Sequence, residues 1–218
     1  MRDKGMSEAE RARLESLASY NILDSAPEHQ YDEIVQRAAK LCDCPISAIT
    51  LVDQHRQWFK ASVGVDIQET ERDIALCDHT LHGSGPLIIP DTRLDDRFTD
   101  NPVVTDPNGI RFYAGTPLLS SENQVLGTLC VMDFRPRGLS DAQANYLSLL
   151  ADQVMMHLEL RRQNLRLRTT SDEQERTQRL TGIAGRLARV GAWSVEVATG
   201  RVTMSPEILA LHGLGSDT

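Results

Sequence analysis

Alternation of apolar and polar residues is strongest between positions 109 and 133. The pattern predicts two strands, Ile110–Leu119 and Val125–Asp133, joined by a short polar loop. Because neighbouring side chains of a strand point to opposite faces, Arg111 and Tyr113 are expected on one face of the sheet. The opposite face is expected to carry the apolar side chains of Ile110, Phe112 and Ala114.

An Arg and a Tyr on one face in the middle of a sheet need partners, because an unpaired buried polar group is unfavourable. Arg111 and Tyr113 are therefore predicted to form the wall of a ligand site. The alternative is structural, with Arg111 bonded to a neighbouring carboxylate.

Helical spacing and start signals define the elements around this hairpin. Capping-box pairs at Ser7…Glu10, Ser25…Glu28 and Ser140…Gln143 predict three helix starts, with Pro27 in the first turn of the second helix. Further strands are predicted at Ile46–Asp53, Gln57–Val63 and Leu87–Ile89, and a short helix near Ile74–Leu81. The sequence thus predicts an α+β fold with an antiparallel sheet of five or six strands flanked by helices.

A heptad pattern follows Ser140. One position holds Leu147, Val154 and Arg161, and the other holds Ala151, Leu158 and Leu165. The pattern predicts a long coiled-coil-like helix and a homodimer formed through it. The alternative is that the apolar positions pack on the chain's own sheet.

The last segment has the pattern of an unfinished domain. Ala192–Val197 and Arg201–Met204 are predicted to pair as a hairpin, and Pro206 is expected to open a short helix. An isolated hairpin is marginally stable in water, so a second domain is expected to continue beyond this segment.

Composition and charge narrow the class of protein. The 218 residues carry a net charge of −8, and residues 1–158 hold 14 Lys and Arg against 24 Asp and Glu. The excess of negative charge in residues 1–158 argues against nucleic acid as a partner. The Arg-rich stretch 159–190 is interpreted as a solvated helix face. The sequence has no run long enough for a membrane span, no secretory signal and only four cysteines, which predicts a cytoplasmic protein without a disulfide framework.

Seven motifs in order carry a family resemblance. They are RLESLASYNILDSAPEHQYDEIV, PISAITLVDQHRQWFK, ALCDHTL, IIPDTRLDDRF, IRFYAGTPL, LGTLCVMD and LADQVMMHLELR. Together they resemble a GAF domain of bacterial sensory proteins over residues 8–160, and residues 185–214 resemble the start of a PAS domain. The resemblance implies a GAF sensor at 1–158, a helical linker at 159–184 and a PAS fragment at 185–218.

Such an arrangement implies the input end of a multidomain signalling protein. A sensor histidine kinase is the expected parent, with a diguanylate cyclase or phosphodiesterase as the alternative output. The chain itself is expected to bind a small molecule or a partner and not to be an enzyme. A ligand-free interaction module and a redox-sensing thiol protein using Cys77 remain alternatives.

Candidate ligand-binding residues are Arg111, Tyr113, Trp58, Cys77 and His79. Trp58 combines an N–H donor with a large apolar body, which suits a pocket and a core equally. His79 and His82 are three residues apart, but structural zinc needs four ligands, so no metal site is predicted. Covalent bilin attachment is not expected, because the family's Cys-His anchor beyond the middle of the domain has no counterpart here. The ligand's identity is left open.

Overall fold

The structure is a computed structural model that describes residues 6–83, 85–188, 190 and 192–213. Its helices are α1 (Glu8–Ser19), α2 (His29–Cys42), α3 (Pro102–Thr105), α4 (Asp141–Ala188) and α5 (Pro206–Leu211). Its strands are β1 (Ile46–Val52), β2 (Arg56–Val63), β3 (Glu69–Glu71), β4 (Leu87–Ile89), β5 (Phe112–Leu119), β6 (Val125–Asp133), β7 (Trp193–Glu196) and β8 (Arg201–Met204). The chain divides into two compact units, one ending at Arg162 and the other beginning at Gln163.

Six strands of the first unit form one sheet in the order β3-β2-β1-β6-β5-β4, and every neighbouring pair is antiparallel. The predicted α+β class and strand number are confirmed. The sheet is buried on both faces, which explains why every residue of β1 is buried.

Helices cover one face of the sheet, which we call the helix face. Its core includes side chains from α1, α2 and the first part of α4, among them Leu17, Ile34 and Leu147. The opposite face, the loop face, is covered by the segment between β3 and β5, where short 3₁₀ turns at Arg72–Ile74 and Leu76–His82 replace the predicted short helix. No helix in the described part of the chain is long and apolar enough to cross a membrane.

One of the three predicted capping boxes forms completely, since Ser140 and Gln143 cap each other's backbone N–H groups at 3.3 and 3.0 Å. At the first helix only half of the box forms: Ser7 Oγ accepts from the Glu10 N–H at 3.1 Å, whereas the Glu10 carboxylate binds Arg13 and Arg72. The box at Ser25…Glu28 is wrong, because α2 begins at His29 and Glu28 precedes it without a side-chain cap. Pro27 therefore lies outside the helix.

The heptad positions in the first part of α4 pack on the chain's own sheet. Leu147, Ala151, Val154 and Leu158 are buried in the helix-face core. The prediction that this set forms the dimer seam is wrong, because the sheet already covers it. A different row of side chains, Leu149, Met156 and Leu160, is exposed on α4.

The second unit contains the rest of α4, the β7–β8 hairpin and α5. The hairpin and short helix lie where the sequence predicts them, with Trp193 paired to Met204. All described side chains of both strands are exposed, including Trp193. Residues 214–218 of the predicted PAS fragment lie outside the described residues.

Candidate ligand-binding cavity

A cavity of about 120 Å³ lies on the loop face, between β1, β2 and β6 and the segment that covers them. Its walls are largely apolar. They are formed by Thr50, Gln57, Phe59, Val65, Ile67, Thr70, Ile74, Ala75, Leu76, Cys77, Val103, Ile110 and Met132. Ile67 is 44% exposed, so the cavity reaches the molecular surface beside it.

Gln57, one of the residues that line the cavity, has an unsatisfied acceptor buried behind this apolar wall. The residue is 95% buried, and its Oε1 has no hydrogen-bond partner among the described residues. Its Nε2 donates to Thr70 Oγ1 at 3.4 Å, which is a long and weak bond. A buried carbonyl oxygen left unpaired is unfavourable, so a donor in the cavity toward which the Gln57 side chain turned would relieve that penalty.

Two buried thiols meet at the base of the cavity. Cys77 Sγ lies 3.7 Å from Cys130 Sγ, and both residues are almost fully buried. Hydrogen bonding with Cys130, together with Thr50 and Tyr113, lowers the pKa of Cys77. The same bond to Cys77, together with burial, raises the pKa of Cys130 well above its usual value. Cys77 is also the thiol of the pair that lines the cavity.

Tyr113 lies behind the thiol pair and does not line the cavity. Its side chain is fully buried and its hydroxyl shares a hydrogen bond of 2.9 Å with Thr80 Oγ1. Burial, reinforced by Cys77, raises the pKa of Tyr113 well above its usual value. A Cβ on Gly115 would lie 2.2 Å from the Tyr113 hydroxyl, so the glycine makes room for it.

Arg111 does not share a ligand wall with Tyr113. It precedes β5, and its guanidinium donates to the backbone carbonyls of Val104 at 2.7 Å, Asp106 at 2.9 Å and Pro107 at 3.1 Å. The predicted face assignment is wrong, because Ile110 packs with Tyr113 in the loop-face core. The partners of Arg111 are carbonyls at the end of α3 and just beyond it, and not the carboxylate of the alternative interpretation.

Trp58 and His79 also lie away from the cavity walls. Trp58 is buried in the helix-face core, on the other side of β2 from Phe59. The His79 ring packs edge-on against Phe98 with 4.7 Å between centroids. The side chain of His82 lies outside the described residues, and no group of three or more metal-type ligands is found in the part of the chain that the structure describes. Of the five predicted residues, Cys77 alone is among those that line the cavity.

Sequence reasoning missed a charged cluster on the helix face. Lys60 is an extra residue in β2, since Ala61 pairs with Ile49 and Phe59 with the next residue of β1. The Lys60 ammonium donates to Ser25 Oγ at 2.8 Å and to Glu28 Oε1 at 2.7 Å. The only available signal was a lysine between Phe59 and Ala61 in the middle of the strand, and its partners lie more than 30 positions away.

Comparison with known proteins identifies a matching family and a protein of similar sequence. The sequence model of the GAF domain family matches residues 26–158. A cyclic di-GMP phosphodiesterase from Pseudomonas aeruginosa is 34% identical over 192 residues, which cover 88% of this chain and 33% of that protein. The chain thus spans about a third of the length of this relative.

Solved structures share the fold at low sequence identity. The GAF domain of an Acinetobacter phosphoenolpyruvate-protein phosphotransferase superposes with a TM-score of 0.52 at 19% identity, covering 71% of this chain and 95% of that one. A domain of a two-component sensor histidine kinase protein from Sinorhizobium meliloti superposes with a TM-score of 0.51 at 15% identity, covering 66% and 99%. At these identities the likeness concerns the fold alone.

Proposed function

This chain belongs to the GAF domain family, and we propose that it is the sensory input module of a larger signalling protein, with a small, mainly apolar molecule as its ligand. The observation that carries the proposal is the loop-face cavity with the unpaired Gln57 Oε1 in its wall. Cavities of similar size, on the order of 150 Å³, accept a single aromatic ring. The ligand class is therefore a ring-sized apolar molecule with one N–H or O–H donor.

Strand β2 connects the cavity to the helices. Gln57 and Phe59 line the cavity, whereas Lys60 reaches the helix face and bonds Glu28. Glu28 also accepts a hydrogen bond from Arg161 of α4 at 3.1 Å. Ligand binding that shifts β2 would move this charged cluster and alter how the end of the first unit holds α4. Such coupling requires that the ligand bind two arrangements of the module with different affinity.

The relative from Pseudomonas aeruginosa supports a cyclic di-GMP enzyme as the output of the parent protein, because the similarity extends over 88% of this chain. The histidine kinase expected from the sequence resemblance stays a prediction. Within this proposal the chain itself senses and does not catalyse, it works in the cytoplasm, and residues 185–218 begin a PAS domain. Measuring cyclic di-GMP hydrolysis by the full-length product of the gene tests the choice of output.

The proposal includes a homodimer formed through α4. Its interface is the exposed row Leu149, Met156 and Leu160, and not the buried heptad positions. Spacings of seven and four residues put these three side chains on one side of the helix. We expect Met156→Glu to convert the dimer into a monomer in sedimentation equilibrium, because two charges would meet in an apolar seam. Leu94→Glu makes the same kind of change at an exposed apolar position in the turn Thr92–Leu94, outside α4, and is the matched control. A wild-type monomer, or a dimer that survives Met156→Glu, contradicts this seam.

Two single-ring aromatic probes of similar shape test the cavity. Pyrrole carries an N–H donor and thiophene does not. At about ten times its dissociation constant, pyrrole should raise the melting temperature by about 3–5 °C, and thiophene should bind about tenfold more weakly because it leaves Gln57 Oε1 unpaired.

The variant Gln57→Leu should bind both probes equally, whereas Gln68→Leu, an exposed position next to β3, should keep the preference for pyrrole. Absence of stabilisation by either probe contradicts a ring-sized site. Equal affinities of the wild type for the two probes contradict the role of Gln57.

A further inference from the structure

Cys77 and Cys130 form a buried dithiol that the sensory function described above does not use. Their sulfur atoms are 3.7 Å apart, whereas the sulfurs of a disulfide are separated by about 2.05 Å. Cys130 lies in β6, which is paired with β1 on one side and β5 on the other. Cys77 lies in the 3₁₀ turn Leu76–His82, outside the sheet. Closing the gap therefore requires movement of the turn and little of the sheet.

The cavity gives a small oxidant a path to this pair. Cys77 is among the residues that line the cavity, and the cavity reaches the surface beside Ile67. A molecule no larger than hydrogen peroxide fits in a space of about 120 Å³. The pair is thus shielded from large reagents and open to small ones.

The other two cysteines differ from this pair in their location, in their access from the cavity and in the direction of their pKa shifts. Cys42 and Cys44 lie at and just after the end of α2, in the helix-face core, and neither lines the cavity. Burial raises the pKa of Cys42 and raises that of Cys44 to about 12, which suppresses the thiolate that reacts. In contrast, hydrogen bonds lower the pKa of Cys77.

We propose that Cys77 and Cys130 are a peroxide-sensitive pair that is converted to an intramolecular disulfide beside the ligand cavity. The Cys77 sulfur attacks one oxygen of the peroxide, the O–O bond breaks, and Cys77 becomes a sulfenic acid while one water leaves. The Cys130 sulfur then attacks the Cys77 sulfur, the S–O bond breaks, and a second water leaves. In total, two thiols lose two electrons and two protons, and one hydrogen peroxide is reduced to two waters.

Oxidation would change the cavity itself. The disulfide pulls the turn Leu76–His82 toward β6, and this turn supplies Leu76 and Cys77 to the cavity wall. The redox state of the pair is therefore expected to alter the affinity for cavity ligands. The proposal does not depend on the ligand's identity, because the disulfide can form in an empty cavity.

Intact-mass spectrometry tests the inference on the full chain. The protein is treated natively with hydrogen peroxide, quenched with catalase, denatured and alkylated with N-ethylmaleimide. The expected product is two hydrogen atoms lighter than the untreated protein before alkylation, takes up two adducts instead of four, and yields a linked Cys77–Cys130 peptide. A second treatment with dithiothreitol should restore all four adducts.

Two variants sharpen the result. The double variant Cys42→Ser/Cys44→Ser keeps the proposed pair and should still lose two hydrogens. Cys130→Ser removes the second thiol, so dimedone should label Cys77 as a trapped sulfenic acid. An unchanged wild-type mass, a Cys42–Cys44 linkage alone, or oxidation of Cys77 to a sulfinic acid without a cross-link would overturn the proposal.

Discussion

The Lys60 ammonium lies 2.7 Å from Glu28 Oε1 in an ion pair that joins the sheet to the chain entering α2. The Lys60 side chain is 1% exposed, whereas that of Glu28 is 29% exposed. The aromatic rings of Tyr31 and Trp58 lie 5.1 and 6.0 Å from the ammonium. A charge so deeply buried depends on its partners, because the protein interior solvates it poorly.

Removing the carboxylate should therefore destabilise the first unit. We expect Glu28→Ala to lower the free energy of unfolding by about 2 kcal/mol, below the range for fully buried pairs because water reaches Glu28. Urea denaturation followed by circular dichroism measures the change.

The double variant Lys60→Met/Glu28→Gln should recover stability to within about 1 kcal/mol of the wild type, since it removes the buried charge together with its partner. Glu33→Ala on the exposed side of α2, where Glu33 pairs with Arg37, should change stability by less than about 0.5 kcal/mol. Equal losses for Glu28→Ala and Glu33→Ala would contradict the importance of the buried pair.

Arg161 holds the last turn of α4 in the first unit. Its guanidinium donates to the carbonyls of Tyr20 at 3.2 Å and Asn21 at 2.9 Å as well as to Glu28. Arg161→Ala should speed amide hydrogen exchange in residues 158–162 about fivefold, since about 1 kcal/mol of local stabilisation is lost. Arg166→Ala, one turn further on and exposed, is the control. Unaltered exchange in Arg161→Ala would show that this clamp does not restrain the helix.

Glu10 makes the free energy of unfolding depend on pH in the acidic range. Hydrogen bonds from Arg13 and Arg72 outweigh burial and lower its pKa from 4.5 to about 2. A carboxyl whose pKa is lower in the folded state stabilises the fold above its unfolded pKa, and that contribution is lost as the pH falls through its folded pKa. We expect the free energy of unfolding of the wild type to fall from about pH 5 to pH 2.

Glu10→Gln should make this fall shallower, because the neutral amide no longer titrates. Glu8→Gln, exposed in the same first turn of α1, is the matched control. Urea unfolding at several pH values between 2 and 7 supplies the comparison. Parallel pH profiles for the wild type and Glu10→Gln would contradict the assignment.

Gly127 marks a close approach between β6 and β1. A Cβ at this position would lie 1.9 Å from the Thr50 carbonyl oxygen, which belongs to the backbone and cannot rotate away. Gly127→Ala should destabilise the protein by about 3 kcal/mol, measured by thermal or urea unfolding. Gly138→Ala has no atom within 4 Å of its new Cβ and should stay within about 0.5 kcal/mol of the wild type. Similar values for the two variants would refute the steric argument.

Local signals predicted several elements well. Strand β6 has the predicted bounds, the capping box at Ser140 forms, and Ser7 caps α1, because these features rest on contacts within a few residues. The box at Ser25…Glu28 failed for a nonlocal reason: Lys60, more than 30 residues away, takes both Ser25 and Glu28 as partners.

The candidate site was less predictable. Alternation placed Arg111 beside Tyr113, but β5 begins one residue after Arg111, and the end of α3 captures its guanidinium. Gln57 carried no signal in the sequence, because an unpaired oxygen is recognised only when its surroundings are known. Cys77 was predicted as a candidate site residue from its residue type alone. Its partner Cys130 is 53 residues away in the sequence, and only folding brings the two thiols together.

The amino-acid sequence by itself determined the α+β class, the order of the main elements and the membership of the GAF family. These follow from periodicities and motifs that act along the chain. Only the tertiary structure decided which face of β2 lines the cavity, which row of α4 stays exposed and which thiols meet. Each of those outcomes depends on side chains that are distant in sequence and compete for the same partner or the same space, and such competition is resolved only when the sheet and its two covering layers pack together.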